Sequence, residues 1–112
     1  MTGGSSPKRV GSAYERAVRD YLQLAGYACQ RTYGAGRPDD QGDLLLWERP
    51  DLLLSCKAQK AYDLAGWLTE AQAAAARDQR TALVVVKRRQ MAVQRSYVVT
   101  DLRSFITLLE AP

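Results

Sequence analysis

A chain of 112 residues with 46% hydrophobic and 25% charged side chains has room for one compact domain and one modest core. Its net charge of +4 and sequence pI of about 9.3 favour a polyanionic partner over an acidic protein surface. With no histidine, serine–histidine and cysteine–histidine catalysis, histidine–metal nucleases and most zinc sites are excluded, which leaves carboxylate, lysine and a hard cation bound through oxygen.

Residues 1–11 (MTGGSSPKRVG) are rich in Gly and Ser and read as a mobile basic arm, with residues 12–112 as the folded domain. A first helix is expected over residues 12–25. Ser12 is its N-cap, Gly26 its C′ residue, and Tyr14, Ala17, Val18, Tyr21, Leu22 and Ala25 form the apolar stripe. Glu15, three residues after Ser12, has the spacing of a capping box. Residues 27–32 read as a first strand. The glycine-rich loop 34–42 that follows lacks the pattern of a nucleotide P-loop. Arg31 and Arg37 bracket this loop, and a phosphate could approach its backbone closely. Asp39 and Asp40 within it read first as solubilising loop residues.

Residues 42–57 (GDLLLWERPDLLLSCK) hold two apolar runs of strand length around Glu48-Arg49-Pro50, which predicts a hairpin with a three-residue loop. Counting back from that loop pairs Trp47 with Asp51 and Asp43 with Ser55. Alternation then puts Asp43, Ser55 and Lys57 on one face, with opposed Cβ atoms about 5 Å apart. A four-residue loop would separate them, so the expectation hangs on the turn. Read without its surroundings, Lys57 is a solvated lysine at a strand end.

A second helix is expected over residues 64–77, N-capped by Asp63, with Trp67 and Leu68 as core or interface anchors. Its alanine-rich half, residues 70–76, allows close approach of a sheet or a second subunit. Residues 82–86 (ALVVV) predict a strand buried on both faces and parallel to that of Ser55. The run Lys87-Arg88-Arg89 that ends it is either a solvated edge or a phosphate contact. A loop, a last strand over residues 96–100 and a closing helix over 102–109 complete the chain. Leu102, Phe105, Ile106 and Leu109 are expected on the buried stripe of that helix. Cys29 and Cys56 make no C-x-x-C and read as small apolar strand residues. No apolar run approaches ~20 residues and no signal-peptide pattern is present, which points to a cytoplasmic, reducing compartment without membrane contact.

Gly42-Asp43 entering one strand and Ser55-Cys56-Lys57 on the next resemble the PD-(D/E)xK signature of the restriction-endonuclease-like nucleases, with Ser55 where that family usually has an acid. The order helix, three strands, helix, two strands, helix resembles the common core of that family over about residues 11–109. Lys-Ala-Gln at 57–59, Tyr-Asp-Leu-Ala-Gly-Trp at 62–67 and the valine strand closed by Lys-Arg-Arg are similar to phage relatives of the archaeal Holliday-junction resolvases.

The resemblance implies an α/β, restriction-endonuclease-like single domain with a mixed five-stranded central sheet flanked by helices. It implies a metal-dependent endonuclease acting on branched DNA. Asp43 and the Cys56 carbonyl would bind Mg2+ (or Mn2+), Glu15 would ligate it directly or through water, and Lys57 would position the attacking water. Arg31, Arg37, Lys60, Lys87, Arg88 and Arg89 are the candidate DNA contacts. Four-way junctions need two matched nicks, so the resemblance also implies a homodimer, in the cytoplasm of a bacterium or phage-infected host. The alternative is a nuclease-like domain that binds branched DNA without efficient cleavage. Ser55 is the residue that separates the two, and a restriction or repair nuclease of the same fold is a third reading.

Overall fold

The elements form in the expected order in a computed structural model that describes residues 7–32 and 43–111. They are α1 (Pro7–Leu24), β1 (Cys29–Thr32), β2 (Asp43–Leu46), β3 (Arg49–Lys57), α2 (Leu64–Ala76), β4 (Thr81–Val86), β5 (Tyr97–Val99) and α3 (Leu102–Glu110), with one 3₁₀ turn at Val93–Arg95. The strands make one mixed sheet in the order β1-β2-β3-β4-β5, antiparallel throughout except that β3 and β4 run parallel.

Helix α1 starts earlier than its polar residues suggest. Its first residue is Pro7, where the missing N–H costs nothing because the first-turn donors have no helical acceptor. Ser12 therefore lies inside the helix and is not its N-cap, so the capping box with Glu15 does not form. Residues 7–11 of the expected arm are helical, and the rest of the arm lies outside the described residues. At the other end Gly26 adopts φ +101°, a conformation that glycine reaches without Cβ strain. Its N–H donates to the Gln23 carbonyl and that of Tyr27 to the Leu22 carbonyl, the paired bonds of a Schellman close.

The sheet separates two apolar layers. Leu44, Leu52, Leu54, Cys56 and Val85 pack with Tyr14 and Val18 of α1, and Leu108 of α3 joins that side. Leu53, Ala82, Val84 and Val86 pack with Trp67, Ala71 and Ala75 of α2 on the other. The alternation of Leu52, Leu54 and Cys56 against Leu53 is the pleat of a strand buried on both faces. The alanines of α2 thus serve the sheet: Ala71 and Ala75 let the helix lie close to β4. Asp63 caps α2 as expected, accepting from the Gly66 N–H at 3.0 Å. The Tyr14 hydroxyl donates to Ser96 Oγ at 2.6 Å and ties α1 to the segment entering β5.

Two expectations fail here. The hairpin turn is tighter than three residues, because Leu46 pairs with Arg49 across Trp47-Glu48. An irregularity between Leu44 and Leu46 then takes up the extra residues of β3, so that Leu44 meets Leu54 and Asp43 meets Ser55. The pairing inferred from the wrong turn is therefore the one observed, restored by a bulge. Pro50, which has no N–H for a ladder, sits in that irregular stretch, and Arg49 clamps Asp51 through two bonds of 2.9 and 2.8 Å. The Arg49 hydrogen bonds hold the Asp51 carboxyl below its ordinary range.

The second failure is α3. None of its residues is buried, and Leu102, Phe105, Ile106 and Leu109, the expected core stripe, are exposed. Ser104, Leu108 and Ala111 instead turn to the protein, all half-buried. The helical spacing in the sequence is real, but periodicity does not tell which way a stripe faces.

Candidate functional site

Among the described residues, the buried polar or charged side chains are Glu15, Asp43, Ser55 and Lys57, the four assigned to the site from the sequence. Three of them converge by strand geometry. Asp43 opens β2 and faces Ser55 across the ladder, and Lys57 lies two residues further along β3 on the same side. Lys57 is 6% exposed, which removes the reading of a solvated strand-end lysine. A charge is buried at such cost only where it is paired or used.

Glu15 reaches this end of the sheet from the opposite face. It lies on α1 between Tyr14 and Val18, on the layer to which Leu54 and Cys56 point, whereas Ser55 and Lys57 alternate away from it. Its carboxylate, 1% exposed, forms an ion pair with Arg31 of β1. Arg31, expected to contact DNA, thus turns inward to Glu15. Cys56 points into the layer beneath α1. Burial pushes its thiol far above the ordinary value, and the charges of Glu15 and Asp43 push in the same direction. The thiol stays protonated and is no nucleophile or thiolate ligand. Cys29 is likewise buried and free, its pKa raised by burial.

The carboxyl ends of β3 and β4 meet beside Lys57, where the Lys87 N–H donates to the Lys57 carbonyl at 2.9 Å. Here a cleft of about 220 Å³ is lined by residues 58–60, Tyr62, Lys87, Arg89 and Gln90. Open α/β sheets bind ligands at the carboxyl ends of parallel strands, and this cleft has that position. Lys60, Lys87 and Arg89 are exposed in it. Arg88 is committed elsewhere: its guanidinium lies 4.7 Å from the Tyr97 ring centre and donates to the Arg95 carbonyl. The sequence reading missed Tyr62, whose hydroxyl donates to the Lys87 carbonyl at 2.7 Å and whose ring meets those of Trp67 and Tyr97. No local signal marks it, because the contact spans 25 residues of chain. Arg37, Asp39 and Asp40 lie outside the described residues.

The donor chemistry suits a hard cation. Asp43 supplies a carboxylate, Ser55 a neutral hydroxyl, and Glu15 a second carboxylate from the other face. Among the described residues no group of three or more His, Cys, Asp or Glu side chains is placed to hold a metal ion. Magnesium keeps several waters and is often bound through a single carboxylate, a requirement that Asp43 alone could meet, whereas the described residues offer no zinc-type ligand set. No helix among the described residues is long and apolar enough to cross a membrane. No protein family, curated protein or solved structure that was compared matches the chain.

Proposed function

We propose that the chain is a metal-dependent, structure-selective DNA endonuclease of the restriction-endonuclease-like kind, acting on four-way junctions in the cytoplasm of a bacterial or phage-infected cell. The observation that carries this reading is the buried Asp43–Ser55 pair with Lys57 beside it, next to a cleft rimmed by Lys60, Lys87 and Arg89. Phosphodiester hydrolysis must neutralise charge that grows on the phosphoryl oxygens and must aim a water in line with the leaving oxygen. Asp43 and the Cys56 carbonyl would hold Mg2+ or Mn2+, with Glu15 contributing through water from the α1 side, and the ion supplies Lewis-acid stabilisation and an acidified water when bound. Lys57, fixed on a central strand, orients the attacking water and faces the developing negative charge. Lys60, Lys87 and Arg89 seat the adjoining phosphates. Glu15 keeps its geometry through Arg31.

Ser55 favours a second reading, a nuclease-like domain that binds branched DNA without efficient cleavage. A hydroxyl gives the metal no charge where a carboxylate would. One experiment separates the two: a labelled four-way junction and a linear duplex are incubated with Mg2+, Mn2+ or chelator, using wild type, Asp43→Asn and Lys57→Ala. Cleavage by the wild type, lost in both variants while junction binding persists, is the expected result, since these residues act on the transition state and binding draws on dispersed phosphates. Binding without cleavage at any metal concentration establishes the second reading.

A further inference from the structure

The cleft at the carboxyl ends of β3 and β4 carries more than cations. Tyr62 forms part of its wall, 44% exposed, with its hydroxyl held by the Lys87 carbonyl at 2.7 Å. Two more rings hold Tyr62 in place: Trp67 with planes tilted by 57°, and Tyr97 edge to face at 88°. Neither is stacked parallel on it. Gln59 and Gln90 add two exposed amides, each able to donate and to accept. Lys60, Lys87 and Arg89 stand around them with no carboxylate partner among the described residues. Asp63, next to Tyr62 in the chain, is turned to the Gly66 N–H as the cap of α2.

An aromatic ring, amides and cations side by side match the chemistry of a nucleotide, which offers a flat base, polar base edges and a phosphate. A bare phosphate would use the cations alone, and a paired duplex keeps its base faces covered by stacking. We infer that this cleft takes one unpaired nucleotide of a DNA strand, its base on Tyr62 beside Gln59 and Gln90 and its phosphates on Lys60, Lys87 and Arg89. The size agrees, since about 220 Å³ has room for one base and not for a base pair. The position agrees as well. Lys57, Val86 and Tyr97 lie in one row across β3, β4 and β5, so Tyr97 stands on the face of Lys57 and Asp43. Tyr62, which touches both Tyr97 and Trp67 of α2, belongs to that face too. A base held there leads its strand past the Asp43 and Lys57 side chains. The turn that carries Arg89 and Gln90 is preset: Gln90 adopts φ +61°, uncommon outside glycine and asparagine, and the Met91 N–H donates to the Arg88 carbonyl at 3.2 Å. This inference rests on the DNA-binding half of the proposed function and not on cleavage. It narrows the substrate to branched DNA with an unpaired nucleotide at the branch.

The test is a fluorescence-anisotropy titration of the full chain in chelator, so that no cleavage enters. Three labelled DNAs are compared: a short paired duplex, the same duplex with one extra unpaired thymine, and the same with an abasic residue in place of that thymine. Wild type should bind the thymine-bulged DNA about tenfold tighter than the other two, the worth of one base–aromatic stack. Tyr62→Phe, which keeps the ring, should retain the preference, whereas Tyr62→Ala should bring the ratio of bulged to paired affinity to about 1. Should Tyr62→Ala fail to fold, the comparison of thymine with abasic DNA on the wild type decides alone. Equal affinity of the wild type for all three DNAs overturns the site and leaves the DNA reading standing. So does an abasic DNA bound as tightly as the thymine one, which would mean that flexibility is read and the base is not, or a preference that survives Tyr62→Ala. Failure to bind any of the three removes the DNA reading and this inference together.

Discussion

Glu15 and Arg31 show how a buried charge constrains the domain. The carboxylate is almost fully enclosed and the guanidinium largely so, and each offsets the desolvation cost of the other. Glu15→Gln should therefore destabilise the fold by about 3 kcal/mol, because it leaves the Arg31 charge desolvated without an anion. Glu15→Met combined with Arg31→Met should recover most of that loss in urea titrations, since replacing both partners removes the desolvation cost as well. An additive double variant would show that the pair does not couple. Ser55 is the opposite case, a small neutral side chain among charges. Ser55→Glu puts a second carboxylate beside Asp43 in a buried setting, where two like charges repel in the absence of a cation. The variant should melt lower than the wild type in chelator and gain more on adding millimolar Mg2+. In the nuclease reading it should also cut at lower metal concentrations. Equal responses of wild type and variant to Mg2+ in both melting and cleavage would remove Asp43 from the metal site.

The contact between α1 and the entry to β5 carries a pH dependence. Burial raises the Tyr14 phenol to about 12, against a hydrogen bond to Ser96 that lowers it. The ionised form is thus disfavoured in the folded chain. The contribution of Tyr14 to stability is fully present below its unfolded value near 10 and is lost as pH rises toward about 12. Tyr14→Phe should cost about 1 kcal/mol at neutral pH, the usual worth of one hydrogen bond. It should also lack this alkaline loss. The measured signature is a stability gap between the two proteins that narrows from pH 10 upward; a gap that widens would reverse the assignment. The hairpin makes a related point about elements. Its turn and its register are separate quantities, because the irregularity at Leu44–Leu46 absorbs the difference between a short turn and a long β3.

For the molecule as a whole, the positive balance of the chain finds a place. The cleft rimmed by Lys60, Lys87 and Arg89 opens at the carboxyl ends of β3 and β4, next to the buried Asp43, Ser55 and Lys57. If DNA lies across it, Lys87→Ala and Arg89→Ala should each weaken binding to all sequences alike and lower the slope of log affinity against log salt by about 1. Arg88→Ala should change the slope less, because its guanidinium is engaged with Tyr97 and Arg95. A uniform effect of all three would place the DNA elsewhere.

Much of this protein is local information. Alternation along residues 43–46 and 52–57, the valine run of β4, the Asp63 cap and the Gly26 close follow from side-chain period and backbone preference, and each forms where its residues dictate. The grouping of Asp43, Ser55 and Lys57 followed from the pleat alone once the register was right, and a bulge that no residue announced made it right. The start of α1 was hidden because Pro7 tolerates the first helical turn as well as it tolerates a loop. Other features were settled only when distant segments met. Glu15 found Arg31 across the layer between α1 and the sheet, Tyr62 reached Lys87 across 25 residues, and Arg88 came to rest on Tyr97. Periodicity gave α3 an apolar stripe, but its direction depends on how Ser104 and Leu108 seat the helix. A helical period specifies that a face exists; the shape of the surface it lands on decides whether that face is inside.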